Sequence, residues 1–192
     1  MNSFLPVSRR PGRGETDRKK RQFEMSSEKL TQEDIRKIEE EIEYRKLVVR
    51  PKVLDALREA RAQGDLSENF EYYAAKRENG ANNSRIRYLE RMLKTATVIT
   101  DNAAEDEIGL NTVTEIYFEE DDETETYKIV TSVRGNSLQG RISIESPLGK
   151  ALLGHKAGDR VHVVVSEDAA YDVIVRSIRK VEDDGSDELR SY

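Results

Sequence analysis

The sequence has 192 residues, enough for one ordinary domain or two small ones, and its charged and hydrophobic fractions are equal at 36% each. So high a charged fraction favours an extended, solvated architecture over one compact core, and the formal net charge of −6 argues against the chain as a whole wrapping nucleic acid. The absence of cysteine excludes disulfides and thiolate metal sites and is typical of a cytoplasmic protein, and no apolar run is long enough to span a membrane.

Residues 1–28 are predicted to form a disordered basic extension, because prolines and glycines are interspersed with positive charges. The basic residues are Arg9, Arg10, Arg13, Arg18, Lys19, Lys20 and Arg21. A flexible tail, or a start further along the chain at Met25, competes with the alternative of an arm that binds nucleic acid.

Two long amphipathic stretches predict an antiparallel helical hairpin, a coiled coil, over residues 29–97. Apolar residues recur at spacings of three and four in residues 31–63 and again in residues 70–96, which is the period of a helix with one buried face. Thr31 and Asp34 form a capping pattern at the start of the first helix. Pro51 predicts a kink within that helix, because proline lacks a backbone donor. Helices of this length reach about 40–50 Å, so the polar turn at residues 64–69 is expected at the far end of a rod.

After residue 97 the period becomes alternating, and four segments predict β-strands around Val113, Ile129, Val163 and Val173. The acidic residues 119–123 are expected to form a solvated hairpin loop. A short helix is predicted where Ser146 can cap the first turn and Pro147 can occupy it.

The predicted fold class is therefore α+β, with the helical hairpin followed by an antiparallel sheet and one short helix over residues 98–181. Residues 182–192 are acidic and contain glycine. We expect this tail to be disordered.

Signatures of a self-contained enzyme are missing from the sequence, including a glycine-rich phosphate loop, a His-x-x-x-His pair and a nucleophile elbow. Two acids of the turn, Asp65 and Glu68, remain as candidates, and their spacing supports two interpretations. Asp65 can cap the second helix with Glu68 as its reciprocal partner. Alternatively, both carboxylates project from the rod and bind a divalent cation, in which case a partner must complete the octahedral oxygen shell that Mg²⁺ prefers.

Residues 64–76 read GDLSENFEYYAAK. This segment resembles the tip signature of the bacterial Gre transcript cleavage factors. Further matches lie at Arg50 and Pro51, at residues 59–61, at Arg85 and Ile86, at Leu89 and Glu90, and around residues 142–154, so the resemblance covers about residues 29–181.

The resemblance implies a coiled coil followed by a domain similar to FK506-binding proteins, which docks at the rim of the secondary channel of bacterial RNA polymerase. The coil would enter the channel, where Asp65 and Glu68 hold a Mg²⁺ ion jointly with the polymerase, with no ion bound stably by this chain alone. That ion permits hydrolysis of the 3′ end of backtracked RNA. The polymerase is the nuclease in this scheme, and the chain is an activator rather than an enzyme.

Further site residues follow from the same resemblance. Asn69, Glu71 and Tyr72 would support the tip, and Glu145, Ser146 and Pro147 would dock on the polymerase. A basic run on the second helix would contact RNA or polymerase, or would instead pair with acids of the first helix. Its members are Arg77, Arg85, Arg87, Arg91 and Lys94.

Two other functions fit the same features. A Gre-like protein could occupy the channel and inhibit the polymerase without cleavage. A coiled-coil adaptor would have a different partner, and its turn acids would matter only for stability. In each case we expect a monomer.

Overall fold

The computed structural model describes residues 27–62 and 70–190. Most of the predicted basic extension lies outside the described residues, as does the predicted turn at residues 64–69. None of the helices in the described ranges is both long and apolar enough to cross a membrane.

Two helical runs form the predicted hairpin. The first consists of α1 (Gln32–Tyr44), a π-helical segment (Arg45–Val49) and α2 (Arg50–Ala62), and the second is α3 (Phe70–Thr95). Thr31 caps α1 as predicted, because its hydroxyl accepts a hydrogen bond from the Asp34 amide while the Asp34 carboxylate accepts one from the Thr31 amide. This reciprocal cap satisfies amides that the first turn of a helix leaves unpaired.

The predicted disturbance near Pro51 is the π-helical segment that precedes it. The Arg50 amide donates to the Arg45 carbonyl, one residue further back than in an α-helix. Pro51 follows without a backbone donor of its own. Asn82 of α3 is buried opposite this segment, and its side-chain amide donates to the Arg45 carbonyl at 3.3 Å. A polar side chain of the facing helix thus accommodates the local change of register.

Short strands tie the two ends of the hairpin together. β1 (Lys29–Leu30) pairs in parallel with β2 (Thr97–Val98). Two-residue strands carry too little periodicity to be predicted from sequence. Their pairing closes the base of the hairpin, opposite to the end where α2 stops and α3 begins.

The second part of the chain, here called the sheet domain, confirms the α+β fold class. Its strands are β3 (Thr112–Phe118), β4 (Glu123–Val130), β5 (Arg141–Ser143), β6 (Arg160–Ser166) and β7 (Ala169–Lys180), and its helix is α4 (Pro147–Leu152). The strand order is β5-β4-β3-β7-β6. The acidic loop forms the turn between β3 and β4, as predicted.

The structure corrects the antiparallel prediction at one edge of this sheet. Neighbouring strands pair antiparallel, except that β4 and β5 pair in parallel. Residues 131–140 carry the chain back beside Lys128, so β5 pairs with the last three residues of β4 and runs in the same direction. Leu148 and Leu152 of α4 pack with strand residues such as Ile116 and Val173 in the core.

A separate apolar cluster joins the hairpin to the sheet domain. Its buried members are Leu30, Ile38, Ile42, Ile86, Leu89, Met92 and Val133. Val133 comes from the connection between β4 and β5, and the other members come from the hairpin and β1. Burial of this shared surface from water stabilises the attachment of the two parts.

Residues 182–190 differ from the predicted disordered tail. The structure places them along the junction between the hairpin and the sheet domain. Asp187 is buried there, and its carboxylate accepts hydrogen bonds from Lys128 Nζ at 2.7 Å and from Arg141 Nη1 at 3.2 Å. The acidic composition favoured a solvated tail. However, Asp183 and Asp187 pair with basic residues that lie 46 or more positions upstream in the sequence.

Candidate functional site

The first helical run ends and the second begins far from the sheet domain, and the predicted acidic turn follows the first run in the sequence. The helical run from Gln32 to Ala62 is about 45 Å long. Its first turn packs beside the sheet domain, so Ala62 and Phe70 lie at the opposite end. The predicted site residues Asp65, Glu68 and Asn69 lie between them, outside the described residues.

Tyr72 joins the two helices beside that turn. Its half-buried ring lies 5.6 Å from the guanidinium carbon of Arg61 on α2 and 5.8 Å from Lys76 Nζ on α3. Cations over an aromatic face are attracted by its negative quadrupole. The supporting role of Tyr72 stays a prediction, as does that of Glu71, which is exposed at the start of α3.

The structure divides the predicted basic run of α3 into two groups. Arg77, Arg87, Arg91 and Lys94 are exposed. Arg85 is instead buried, and its guanidinium donates to both carboxylate oxygens of Glu41 on α1 at 2.9 Å each. For Arg85 the alternative of pairing with an acid of the first helix therefore holds, and the proposed contact with RNA does not fit its position.

The Glu41 carboxylate is ionised within the hairpin. Burial disfavours its charge, but the hydrogen bonds from Arg85 and Arg45 outweigh that effect and hold the pKa of Glu41 below its ordinary value. Arg45 Nε lies 2.6 Å from the same carboxylate. One acid of α1 thus pairs with two arginines, one from each helical run.

The predicted docking residues, 145–147, form a rigid corner between β5 and α4. The Ser146 hydroxyl accepts from the Gly149 amide at 3.0 Å and donates to the Ser143 carbonyl at 2.7 Å. Pro147 occupies the first turn of α4, as predicted, and is exposed. The fixed φ of proline and the serine cap both restrict this corner before any partner is bound.

Glu145 links the same corner to the base of the hairpin. Its carboxylate lies 2.8 Å from Lys29 Nζ of β1 and 3.2 Å from Lys150 Nζ of α4. The hydrogen bond from Lys29 outweighs partial burial, and together with Lys150 it lowers the pKa of Glu145. The Glu145 carboxylate therefore forms ion pairs with two lysines of this chain, whereas the family resemblance predicted only a docking role for it.

Sequence reasoning missed Arg134, which lies in the connection between β4 and β5. Its side chain is 2% exposed and contacts the fully buried Asp34 carboxylate and Asp183, the latter at 2.5 Å. Asp34 had been predicted only as a capping residue. No local pattern identifies Arg134, because both acids are distant from it in sequence.

Metal ligation within the described residues has little basis. No group of three or more His, Cys, Asp or Glu side chains in residues 27–62 and 70–190 could hold a metal ion. The geometry defines a class of protein in which a long helical hairpin projects from a small mixed-sheet domain with a preorganised corner.

Comparisons with known proteins identify the family within that class. Residues 28–98 match the N-terminal domain of the transcription elongation factors, GreA_GreB_N, and residues 103–180 match the C-terminal GreA/GreB domain. These two matches span most of the chain. The chain belongs to the GreA/GreB family of transcription elongation factors.

Curated relatives agree with this assignment. Transcription elongation factor GreA of Thermoanaerobacter pseudethanolicus is 45% identical over 137 residues, which cover 71% of this chain and 87% of that protein. GreA of Staphylococcus saprophyticus is 39% identical over 150 residues, covering 78% and 95%. The crystal structure of GreA factor homolog 1 from Thermus thermophilus shows 26% identity over 80% of this chain and 99% of that chain, at a TM-score of 0.38.

Proposed function

We propose that this protein binds bacterial RNA polymerase through the secondary channel and stimulates the polymerase to cleave the 3′ end of backtracked RNA, which rescues arrested complexes in the cytoplasm. One observation carries the proposal: residues 64–69 have the tip signature of the Gre family. In the sequence they lie between the two helical runs of the hairpin, and the chain belongs to that family. The chain is an activator, and the catalytic centre belongs to the polymerase.

The donor set at the tip suits Mg²⁺ but is incomplete. Asp65 and Glu68 supply carboxylate oxygens, which hard divalent cations prefer, and two such residues leave the remaining positions to water or to a partner. A second Mg²⁺ bound jointly with the polymerase would supply an activated water and stabilise charge on the scissile phosphate. Asp65 and Glu68 would be two of the ligands of that ion, and either carboxylate would be suited to accept a proton from the attacking water.

The remaining parts of the chain position those acids. Residues 145–147 dock the sheet domain at the channel rim, and the hairpin then spans the distance to the active centre. Exposed Arg87 and Arg91 lie four residues apart on α3 and share one side of the helix, where they face phosphates of the extruded RNA or acids of the channel wall. One copy of the chain suffices for this role.

Cleavage by defined backtracked complexes tests the proposal. The rate of release of the RNA 3′ fragment should fall by at least about tenfold for Asp65→Asn and for Glu68→Gln, because each removes one charged metal ligand. Binding to polymerase should remain intact in both variants. Glu59→Gln is the matched control, because it removes an exposed carboxylate on α2. This variant should stimulate cleavage by the polymerase as strongly as the parent does.

Other outcomes separate the alternatives. If both tip variants stimulate cleavage as strongly as the parent, the metal role of Asp65 and Glu68 is refuted. Binding to polymerase without stimulated cleavage by the parent protein would indicate a channel-occupying inhibitor. Failure to bind polymerase would favour the adaptor.

A further inference from the structure

The segment 183–190 contacts both helical runs of the hairpin and the sheet domain. The family match to the C-terminal domain ends at residue 180, so this segment lies beyond it. Leu189 packs against the apolar cluster that joins the two parts of the molecule. The Arg190 amide donates to the Val133 carbonyl at 2.6 Å, and the Arg190 carbonyl accepts from Arg85 Nη1 on α3 at 3.0 Å.

Two aspartates also anchor the segment: Asp183 at its start and Asp187 in its middle. Asp183 pairs with Arg134, whose guanidinium also contacts Asp34 at the start of α1. Asp187 pairs with Lys128 of β4 and Arg141 of β5, while its backbone carbonyl accepts from Lys37 Nζ of α1 at 2.6 Å. Each aspartate therefore lies at a point where the sheet domain and α1 meet.

The anchors are charged and largely screened from water. Burial disfavours the charge on Asp187, but hydrogen bonds from Lys128 and Arg141 hold its pKa below the ordinary value. Between and beside these anchors the segment borders a cleft with α1 and α3, where Ser186 and Glu188 are exposed. The hold on the hairpin thus depends on a few polar anchors and on Leu189.

We infer that residues 183–190 form a strap that fixes the angle between the hairpin and the sheet domain, so that Asp183, Asp187 and Arg134 are positioning residues for the tip. This inference rests on the proposed function for its consequence. The hairpin is a long lever with its base at the sheet domain, so a small change of angle at the joint displaces Ala62 and Phe70 at its far end, and with them the proposed tip, by a large distance. A strap that holds one angle increases the fraction of molecules ready to insert.

Distance measurements on the free protein test the strap without any reference to polymerase. The chain has no cysteine, so spin labels can be attached specifically after Glu59→Cys on α2 and Glu167→Cys in the exposed β6–β7 turn. The parent should give one narrow distance distribution. The double variant Asp183→Asn/Asp187→Asn, and a chain lacking residues 183–192, should both give a broader one.

A matched control removes the same number of charges from the same segment. Glu182 and Glu188 are exposed, so Glu182→Gln/Glu188→Gln should keep the narrow distribution. Restoration of the carboxylates in Asp183→Glu/Asp187→Glu should narrow the distribution again. An unchanged distribution in both the aspartate variant and the truncated chain would overturn the inference.

Cleavage kinetics test the positioning role in variants that urea denaturation first shows to be folded, because loss of folded protein would also raise the half-saturating concentration. Loss of the strap should raise the concentration of factor needed for half-maximal cleavage by about fivefold, since apparent affinity falls with the competent fraction, and should leave the rate at saturation within about twofold. A lower saturating rate with an unchanged half-saturating concentration would contradict a positioning role. If the parent does not stimulate cleavage at all, the proposed function fails, while the distance distributions still decide whether the strap exists.

Discussion

Arg85 belongs by sequence to the basic run of α3, yet its guanidinium is buried against Glu41, whereas Arg87 and Arg91 are exposed. Its position on the helix explains the difference. Asn82, Ile86 and Leu89 are the buried residues around it, at spacings that place all of them on the face toward α1. The apolar periodicity of α3 therefore contained a signal that charge alone did not show.

Gly149 is a second residue whose role depends on a close approach. A Cβ built on it would lie 2.0 Å from the Ser143 carbonyl oxygen, which also accepts the Ser146 hydroxyl. Gly149→Ala should therefore separate α4 from β5 and lower the free energy of unfolding by about 3 kcal/mol. Urea denaturation, read as a shift of the midpoint, measures this change.

Gly80→Ala is the comparison for that substitution. Gly80 lies within α3, and a Cβ there would meet nothing within 4 Å. Alanine in an exposed helical position should raise stability by about 0.5–1 kcal/mol. Equal effects of the two substitutions would contradict the tight contact between Gly149 and Ser143.

Between elements, the ion pair of Glu41 with Arg85 ties α1 to α3. The pKa of Glu41 is lower in the folded hairpin than in the unfolded chain, because the two arginine bonds outweigh the effect of burial. A group with a depressed folded pKa contributes stability above its unfolded pKa and loses that contribution as the pH falls through the folded value. The contribution should be complete at neutral pH, begin to decline below about pH 4.5, where the unfolded carboxyl takes up its proton, and be lost as the pH falls through the lower folded value.

Glu41→Gln should consequently lower the free energy of unfolding by about 1–2 kcal/mol at pH 7, because charge-assisted bonds to a partly buried arginine are lost. The difference from the parent should shrink in acid. Denaturation midpoints at pH 7 and pH 3.5 measure it. Glu43→Gln, which changes an exposed acid of the same helix, should leave the midpoint where it is. A difference that is the same at both pH values would rule out the ionised pair as its cause.

Elements with local signals were predictable from the sequence. The cap formed by Thr31, the disturbance of the helix near Pro51, which takes the form of a π-helical segment, and the start of α4 at Ser146 all depend on residues within a few positions of one another. The parallel pairing of β5 was not predictable, because three residues cannot establish a strand direction and the pairing depends on the path of residues 131–140. The same is true of β1 and β2.

At the scale of the whole molecule, the joint between hairpin and sheet domain depends on contacts that are distant in sequence. Arg134 meets Asp34 and Asp183, and Asp187 meets Lys128 and Arg141. Composition correctly described residues 182–190 as acidic but could not show that basic side chains of the sheet domain surround them. Long-range ion pairs of this kind become visible only when the fold is known.

The two-part architecture explains why the chain needs no catalytic site of its own. In the proposed function, the sheet domain docks through residues 145–147, and a helical run about 45 Å long separates binding from chemistry. On that proposal, the tip contributes only carboxylates to a site that the polymerase completes. The identification of Asp65 and Glu68 depends on the sequence motif, since residues 63–69 lie outside the described ranges.

The Mg²⁺ dependence of transcript cleavage tests the central claim most directly. Cleavage by a defined backtracked complex is measured across Mg²⁺ concentrations with polymerase alone, with saturating parent protein, with Asp65→Asn and with the control Glu59→Gln. We predict that the parent and Glu59→Gln lower the Mg²⁺ concentration for half-maximal cleavage by about tenfold, and that Asp65→Asn loses this shift. A Mg²⁺ dependence for Asp65→Asn that matches that of the parent would contradict the claim that the tip acids help to bind the ion.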